Sequence, residues 1–274
     1  MKNAQSIYAP QREITNLDDC CFYHTIDWPE CGLIRGSWDL RNSFDTYLGN
    51  VSFTGKRVLE VGTANGFFCF EMEKRGAEVV AYDLSKNDDW DIVPYAGVCS
   101  DEVFKSRRAH IDNLNNAWWL GHHLNRSSAR VVYGSVYGIP KEIGPVDIST
   151  FGCILLHLRD PFLALQKAAA LTMETIIVTD LVPVTIKDQL CARVPIFSKF
   201  WDLLKISNKY FKSYLIFLPN PEKEAPLDAW WWLPPNLVCE YLKILGFRKI
   251  SITYHRQSFG DSKLYLYTVV GTKI

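Results

Sequence analysis

With 274 residues, of which 48% are hydrophobic, the chain has enough apolar material for a large core, and thirty Lys plus Arg balance thirty Asp plus Glu. That composition excludes a disordered chain and a protein whose main role is coating nucleic acid. No stretch approaches the roughly 18 consecutive apolar residues of a membrane span, so no membrane partner is expected. The polar N-terminus, Met1 to Asp19, lacks the apolar centre of a signal peptide and predicts a cytoplasmic protein. The eight cysteines are scattered with no Cys-x-x-Cys pair, which predicts buried thiols and no metal.

From residue 57 short apolar runs alternate with helical patterns, the mark of an α/β fold with a mostly parallel sheet. Arg57 to Gly62 reads as a first strand and Phe67 to Arg75 as a helix. Glu78 to Asp83 is a second strand that ends on an acid, and Asp101 to Asn125 a long helix. Arg130 to Tyr133 and Val146 to Phe151 make the third and fourth strands. Asp160 suits a helix N-cap, and Pro161 the first turn, of a helix running to about Thr172. Thr175 to Asp180 is a fifth strand. Pro234 to Leu245 predicts a helix ended by Gly246. Phe247 to Tyr254 and Lys263 to Val270 alternate in polarity and predict a terminal antiparallel hairpin joined by about eight residues.

The expected plan is a single domain over 1–274. It has an N-terminal extension (1–50), a ligand-binding core (51–180), an insertion (181–232) and a C-terminal helix and hairpin (233–274). The insertion is aromatic-rich, with ten aromatic residues from Phe197 to Trp232. Lys187, Arg193, Lys199, Lys205, Lys209 and Lys212 face only Asp188 and Asp202 there, which suits an anionic partner or the solvated face of a lid helix.

The first strand runs into Glu60-Val61-Gly62-Thr63-Ala64-Asn65-Gly66 and then a helix. A glycine turn before a helix lets a backbone approach a ligand and offers it free N–H groups. A dinucleotide fingerprint needs Gly-x-Gly-x-x-Gly, but Ala64 and Phe67 stand at its later positions; a P-loop needs Gly-Lys-Ser/Thr, but Phe67 and Phe68 follow Gly66. What remains, acid-x-Gly-x-x-x-Gly with Asp83 ending the second strand, resembles motif I of the class I S-adenosylmethionine-dependent methyltransferases. Longer stretches are similar to the group around bacterial tRNA wobble-uridine (5-hydroxyuridine) methyl- and carboxymethyl-transferases. They are Phe22 to Asp27, Gly36 to Arg41, Gly55 to Glu60, His157 to Pro161 and Trp232 to Asn236.

The resemblance implies a Rossmann-like class I methyltransferase sheet, with the N-terminal extension and the aromatic-rich lid insertion added to it. It implies S-adenosylmethionine as cofactor, S-adenosylhomocysteine as product, and a cofactor site at Glu60, Gly62, Thr63, Ala64, Gly66, Asp83, Leu84, Ser135, Val136, Gly152 and Cys153. Asp83 would bind the ribose hydroxyls, while two readings of Arg41 stand, a bidentate partner of the methionine carboxylate and a surface arginine. Two departures touch the adenine contacts. Gly134-Ser135-Val136 stands where many relatives carry an acid, and Cys153 where they often have glycine.

His157 follows the fourth strand, at the end of the sheet where ligands bind in such folds, and is the candidate general base; holding the loop before Asp160 is its other reading. Tyr23, His24, Trp201, Tyr214 and Trp231 are the candidate acceptor contacts; packing down the N-terminal segment is the other reading of Tyr23 and His24, and a structural role that of the Trp230–Trp232 run. A small hydroxylated or anionic molecule is the expected acceptor, with O-methylation favoured. A tRNA wobble base is the alternative, and a non-catalytic cofactor-binding regulator a second alternative.

Overall fold

The structure, a computed structural model, describes residues 6–28, 30–98, 100–183 and 214–273. Trp201 and the basic run from Lys187 to Lys212 lie outside the described residues. The N-terminal segment supplies strands β1 (Ile26–Trp28), β2 (Gly32–Ile34) and β3 (Trp38–Asp39), then a short helix α1 (Phe44–Tyr47). The core follows as β4 (Arg57–Val61), α2 (Phe67–Lys74), β5 (Glu78–Asp83), α3 (Asp101–Leu124), β6 (Arg130–Tyr133), β7 (Val146–Gly152), α4 (Pro161–Ala169) and β8 (Thr172–Leu181). Strands β9 (Ile216–Phe217) and β10 (Trp231–Trp232) pair with each other, and α5 (Pro235–Ile244), β11 (Lys249–Phe259) and β12 (Ser262–Thr272) close the fold.

Among the described residues the main sheet has eight strands in the order β3-β11-β12-β8-β7-β4-β5-β6. The five strands from β8 to β6 are parallel, and β12, β11 and β3 extend the sheet antiparallel. Parallel strands are covered on both faces, which is why Val58, Leu59, Val79, Val80, Val131 and Val132 are all buried. Glu60 in β4 and Asp180 in β8 are buried acids within this apolar centre. The order turns back at β4, between β5 and β7, and crevices that take ligands open beside such a reversal at the carboxyl ends of the strands.

Caps set the helix ends. The Asp160 carboxylate accepts the Leu163 N–H at 2.9 Å, and Pro161 takes the first turn of α4 without an orphaned donor. Gly246 ends α5 at φ +96°, a left-handed conformation that costs glycine little. Among the described residues no helix is long and apolar enough to cross a membrane.

Three expectations about elements are corrected. Strand β8 begins at Thr172, because α4 stops at Ala169 and the Thr172 hydroxyl donates back to the Ala168 carbonyl at 2.8 Å. The terminal hairpin turns on two residues, Gly260 and Asp261, not eight. Residues 255–258 read as polar loop, yet His255 and Gln257 are buried within β11 because a chain of hydrogen bonds satisfies them. Gln257 Nε2 donates to His255 Nδ1 at 2.9 Å, His255 Nε2 meets Thr268 Oγ1 at 2.8 Å, and Thr268 donates to the Tyr47 carbonyl at 2.9 Å. Finally, the N-terminal extension is part of the sheet: β3 pairs with β11 at its edge.

Replacing Asp160 by Ala should lower the free energy of unfolding by about 1 kcal/mol. Urea titration should show the lower midpoint with an unchanged slope.

Candidate active site

A cavity of about 490 Å³ opens at the carboxyl ends of β4, β5 and β7. Its floor is the glycine turn. Gly62 stands at φ +79°, and a Cβ there would lie 2.2 Å from Ile154 Cδ1, so backbone conformation and space both demand glycine. Its N–H donates to the Tyr82 carbonyl at 2.8 Å, tying the turn to β5.

Asp83 is held across this turn. Its Oδ2 accepts the Ala64 N–H and its Oδ1 accepts the Leu84 N–H, both at 2.8 Å. Each oxygen keeps a free lone pair, and Asp83 lines the cavity. Burial outweighs these two bonds and raises its pKa to about 6. Beside it, the Tyr82 hydroxyl donates to the Ser135 carbonyl at 2.9 Å and so places the turn Gly134-Ser135-Val136 on the same wall.

Glu60 lies under the turn. Thr63 Oγ1 donates to its Oε2 at 2.7 Å, and burial raises its pKa to about 8, so the acid is mostly protonated at pH 7. Gly152 and Cys153 continue the wall at the end of β7, where the Tyr47 hydroxyl meets Cys153 Sγ at 3.5 Å.

His157 also lines the cavity. Its Nδ1 is hydrogen-bonded to the Asp228 carbonyl oxygen, which can only accept, so Nδ1 carries the proton and Nε2 the lone pair. Burial lowers its pKa and keeps the ring neutral at pH 7. Asp228 is held in turn by Arg107 of α3, with Nη2 3.0 Å from Oδ2. The far wall carries Trp90, with the Arg107 guanidinium 5.1 Å from its ring centroid and His110 stacked at 5.9 Å.

Of the sequence-predicted residues, the cavity brings together Tyr23, His24, Glu60, Gly62, Ala64, Asp83, Leu84, Ser135, Val136, Gly152, Cys153 and His157. It does not include five others. Arg41 is turned to Asp39, with both guanidinium contacts at 2.8 Å, and is not on the wall. Thr63 is buried against Glu60, and Gly66 caps α2 from beneath at φ +82°. Trp231 donates its Nε1–H to the Arg159 carbonyl at 3.2 Å, and Tyr214 is exposed.

Sequence reasoning missed Trp90, Arg107, His110 and Asp228, which reach the cavity from the long stretch before β6 and the loop before β10. It also missed Asn65, a spacer within the glycine motif by spacing alone. Its side chain in fact joins the turn to His24.

No protein-family model matches the chain, and no curated protein sequence matches it. Among solved structures, the N-terminal domain of EvdMO1, determined in the presence of S-adenosylhomocysteine and D-fucose, is similar. It has a TM-score of 0.54 and 14% identity, covering 94% of this chain and 93% of that one. The same domain with S-adenosylhomocysteine bound gives a TM-score of 0.51 at 14% identity over the same shares, 94% and 93%. The likeness establishes the fold: this is the Rossmann-like class I methyltransferase sheet.

Glu60 titrates near 8 in the fold, above its ordinary value, so its ionisation opposes folding increasingly as pH rises from about 4.5 to 8. Glu60→Gln removes that penalty. Its melting temperature relative to wild type should climb from pH 5 to pH 8 and level off above, as scanning calorimetry would show.

Proposed function

We propose that this chain is an S-adenosylmethionine-dependent methyltransferase that methylates a small-molecule acceptor, with a hydroxyl as the favoured target. The observation that carries this reading is Asp83. Two backbone N–H groups orient its carboxylate, and the one lone pair left on each oxygen matches the two vicinal hydroxyls of a ribose. The glycine turn beside it lines the cavity at Gly62 and Ala64, and the spacing departs from the dinucleotide pattern. The similar EvdMO1 domain holds S-adenosylhomocysteine, which supports the cofactor class.

Asp83 would hold the ribose, and the turn at Gly134-Ser135-Val136 with Leu84 would flank the base. Gly62, Gly152 and Cys153 would flank the amino-acid end. Bound there, the cofactor supplies an electrophilic methyl group on a sulfonium. The protein then contributes alignment and a proton acceptor. His157 suits the second task. Its Nδ1–H is committed to Asp228, its Nε2 is free to take a hydroxyl proton, and its lowered pKa keeps it unprotonated at neutral pH. The Arg107–Asp228 ion pair keeps the loop that carries this carbonyl against α3. A wall holding Trp90 beside polar groups suits a ring that bears hydroxyls. A tRNA wobble base as acceptor would instead draw on the basic run outside the described residues, and a steep salt dependence of binding would reveal it.

Calorimetric titration should show S-adenosylhomocysteine binding to wild type and NAD failing to bind. Asp83→Ala should weaken that binding by about a hundredfold or more, since two hydrogen bonds to a charged group are lost. The diol favours the ionised carboxylate, so affinity should also fall as pH drops through about 6. With a hydroxylated acceptor, His157→Gln should cut turnover by roughly 10²–10⁴ while leaving S-adenosylhomocysteine affinity unchanged.

A further inference from the structure

The clasp between the glycine turn and the N-terminal segment determines the chemistry of a second histidine. The Asn65 amide is fully buried: its Oδ1 accepts the His24 backbone N–H at 2.9 Å, and its Nδ2 donates to the His24 carbonyl at 3.2 Å. A backbone N–H can only donate and a carbonyl can only accept. These two bonds therefore establish which end of the amide is oxygen, which heavy-atom positions alone leave open. His24 Nδ1 lies 3.0 Å from that same oxygen and must carry the ring proton. The lone pair of the neutral ring is then on Nε2. Burial pushes the His24 pKa down to about 4, so the ring is neutral across the physiological range.

The ring stacks on Phe67 at 5.5 Å and meets the edges of Phe68 and Tyr23, both at 5.2 Å, while lining the cavity. With Nδ1 committed, the polar ring atom left for a ligand is Nε2, a hydrogen-bond acceptor. The imidazole itself lies on the cavity wall. Phe68 also stacks on Tyr47 at 4.7 Å, and the Tyr47 hydroxyl reaches Cys153 at the end of β7. His24 thus belongs to the β7 side, across β4 from Asp83 and Leu84 at the end of β5. A nucleoside whose ribose sits on Asp83 and whose base lies toward Leu84 extends its other end across the glycine turn toward His24. That end carries a carboxylate, which has nothing to donate, and an ammonium, which does.

We infer that His24, its tautomer set by Asn65, recognises the α-ammonium group at the amino-acid end of the cofactor; this rests on the cofactor reading above. Asn65 is a positioning residue in this arrangement, acting through His24.

The test is calorimetric titration of the full chain with three probes: S-adenosylhomocysteine, its analogue with hydrogen in place of the α-amino group, and its decarboxylated analogue. Wild type should bind the deaminated analogue about tenfold or more weakly than S-adenosylhomocysteine. His24→Phe, which keeps the stack on Phe67, should weaken S-adenosylhomocysteine by a similar factor and no longer distinguish the two. Full discrimination in His24→Phe overturns the inference while leaving the cofactor reading intact. So does a variant that stops distinguishing the decarboxylated analogue instead. Absence of S-adenosylhomocysteine binding to wild type overturns both. Should His24→Phe fail to fold, ¹⁵N-histidine NMR of His157→Gln gives the same decision. The His24 Nε2 resonance should move on adding S-adenosylhomocysteine and stay in place with the deaminated analogue, and equal movement overturns the inference.

Discussion

A carboxylate recessed at the end of a strand, oriented by backbone N–H groups and paired with no cation among the described residues, is the constraint on which the rest of the site depends. Asp83 is costly to ionise where it stands, as its raised pKa of about 6 shows. The fold tolerates that cost because the two N–H groups that approach Asp83, from Ala64 and Leu84, belong to the glycine turn and to the start of the loop after β5. Holding the acid therefore also holds the turn against β5. The Gly62 N–H to Tyr82 carbonyl bond and the Tyr82 hydroxyl to Ser135 carbonyl bond extend the same bracing to either side. The floor is rigid through backbone contacts, which is the arrangement that preorganises a ligand's hydroxyls without spending side-chain entropy.

Covering that floor falls to a segment that is remote in sequence. Residues 23–25 exchange backbone hydrogen bonds with Trp38, and a Cβ on Gly36 would lie 2.4 Å from the His24 carbonyl carbon, so the two backbones touch. Glycine at 36 permits the approach, Asn65 locks it to the motif, and the rings of Phe67, Phe68 and Tyr47 fill the space behind. Arg41, which by charge looked suited to a carboxylate, is neutralised within the same segment by Asp39. Its local partner wins because a bidentate pair two residues away needs no reach into the cavity.

The histidines divide by what holds their nitrogens. His24 and His157 line the cavity, and each has Nδ1 bound by an oxygen, so each keeps a lone pair on Nε2. His255 is the reverse case. Its Nδ1 accepts from Gln257, its Nε2–H is directed to Thr268, and both nitrogens are consumed in tying β11 to β12 and to α1. The same residue type thus serves the cavity or the core, according to whether a hydrogen-bond partner remains to be found.

The sequence by itself determined the alternation of strands and helices, the parallel centre, the glycine turn and the acid that ends β5. These depend on near-neighbour rules: apolar periodicity, turn chemistry and caps such as Asp160, all read within a few residues. It misjudged the hairpin turn at Gly260, because His255 and Gln257 are polar by type and their buried chain of hydrogen bonds ends on Thr268, thirteen residues from His255. It also left Asn65, Arg107 and Asp228 without a part, and it placed Arg41, Trp231 and Tyr214 in a site they do not line. Only the tertiary structure decided which charges neutralise each other, which ring nitrogens keep a lone pair, and which side chains share the cavity. Each of those outcomes depends on hydrogen-bond partners and packing neighbours brought together by the fold from distant parts of the chain, and local sequence patterns carry no record of them.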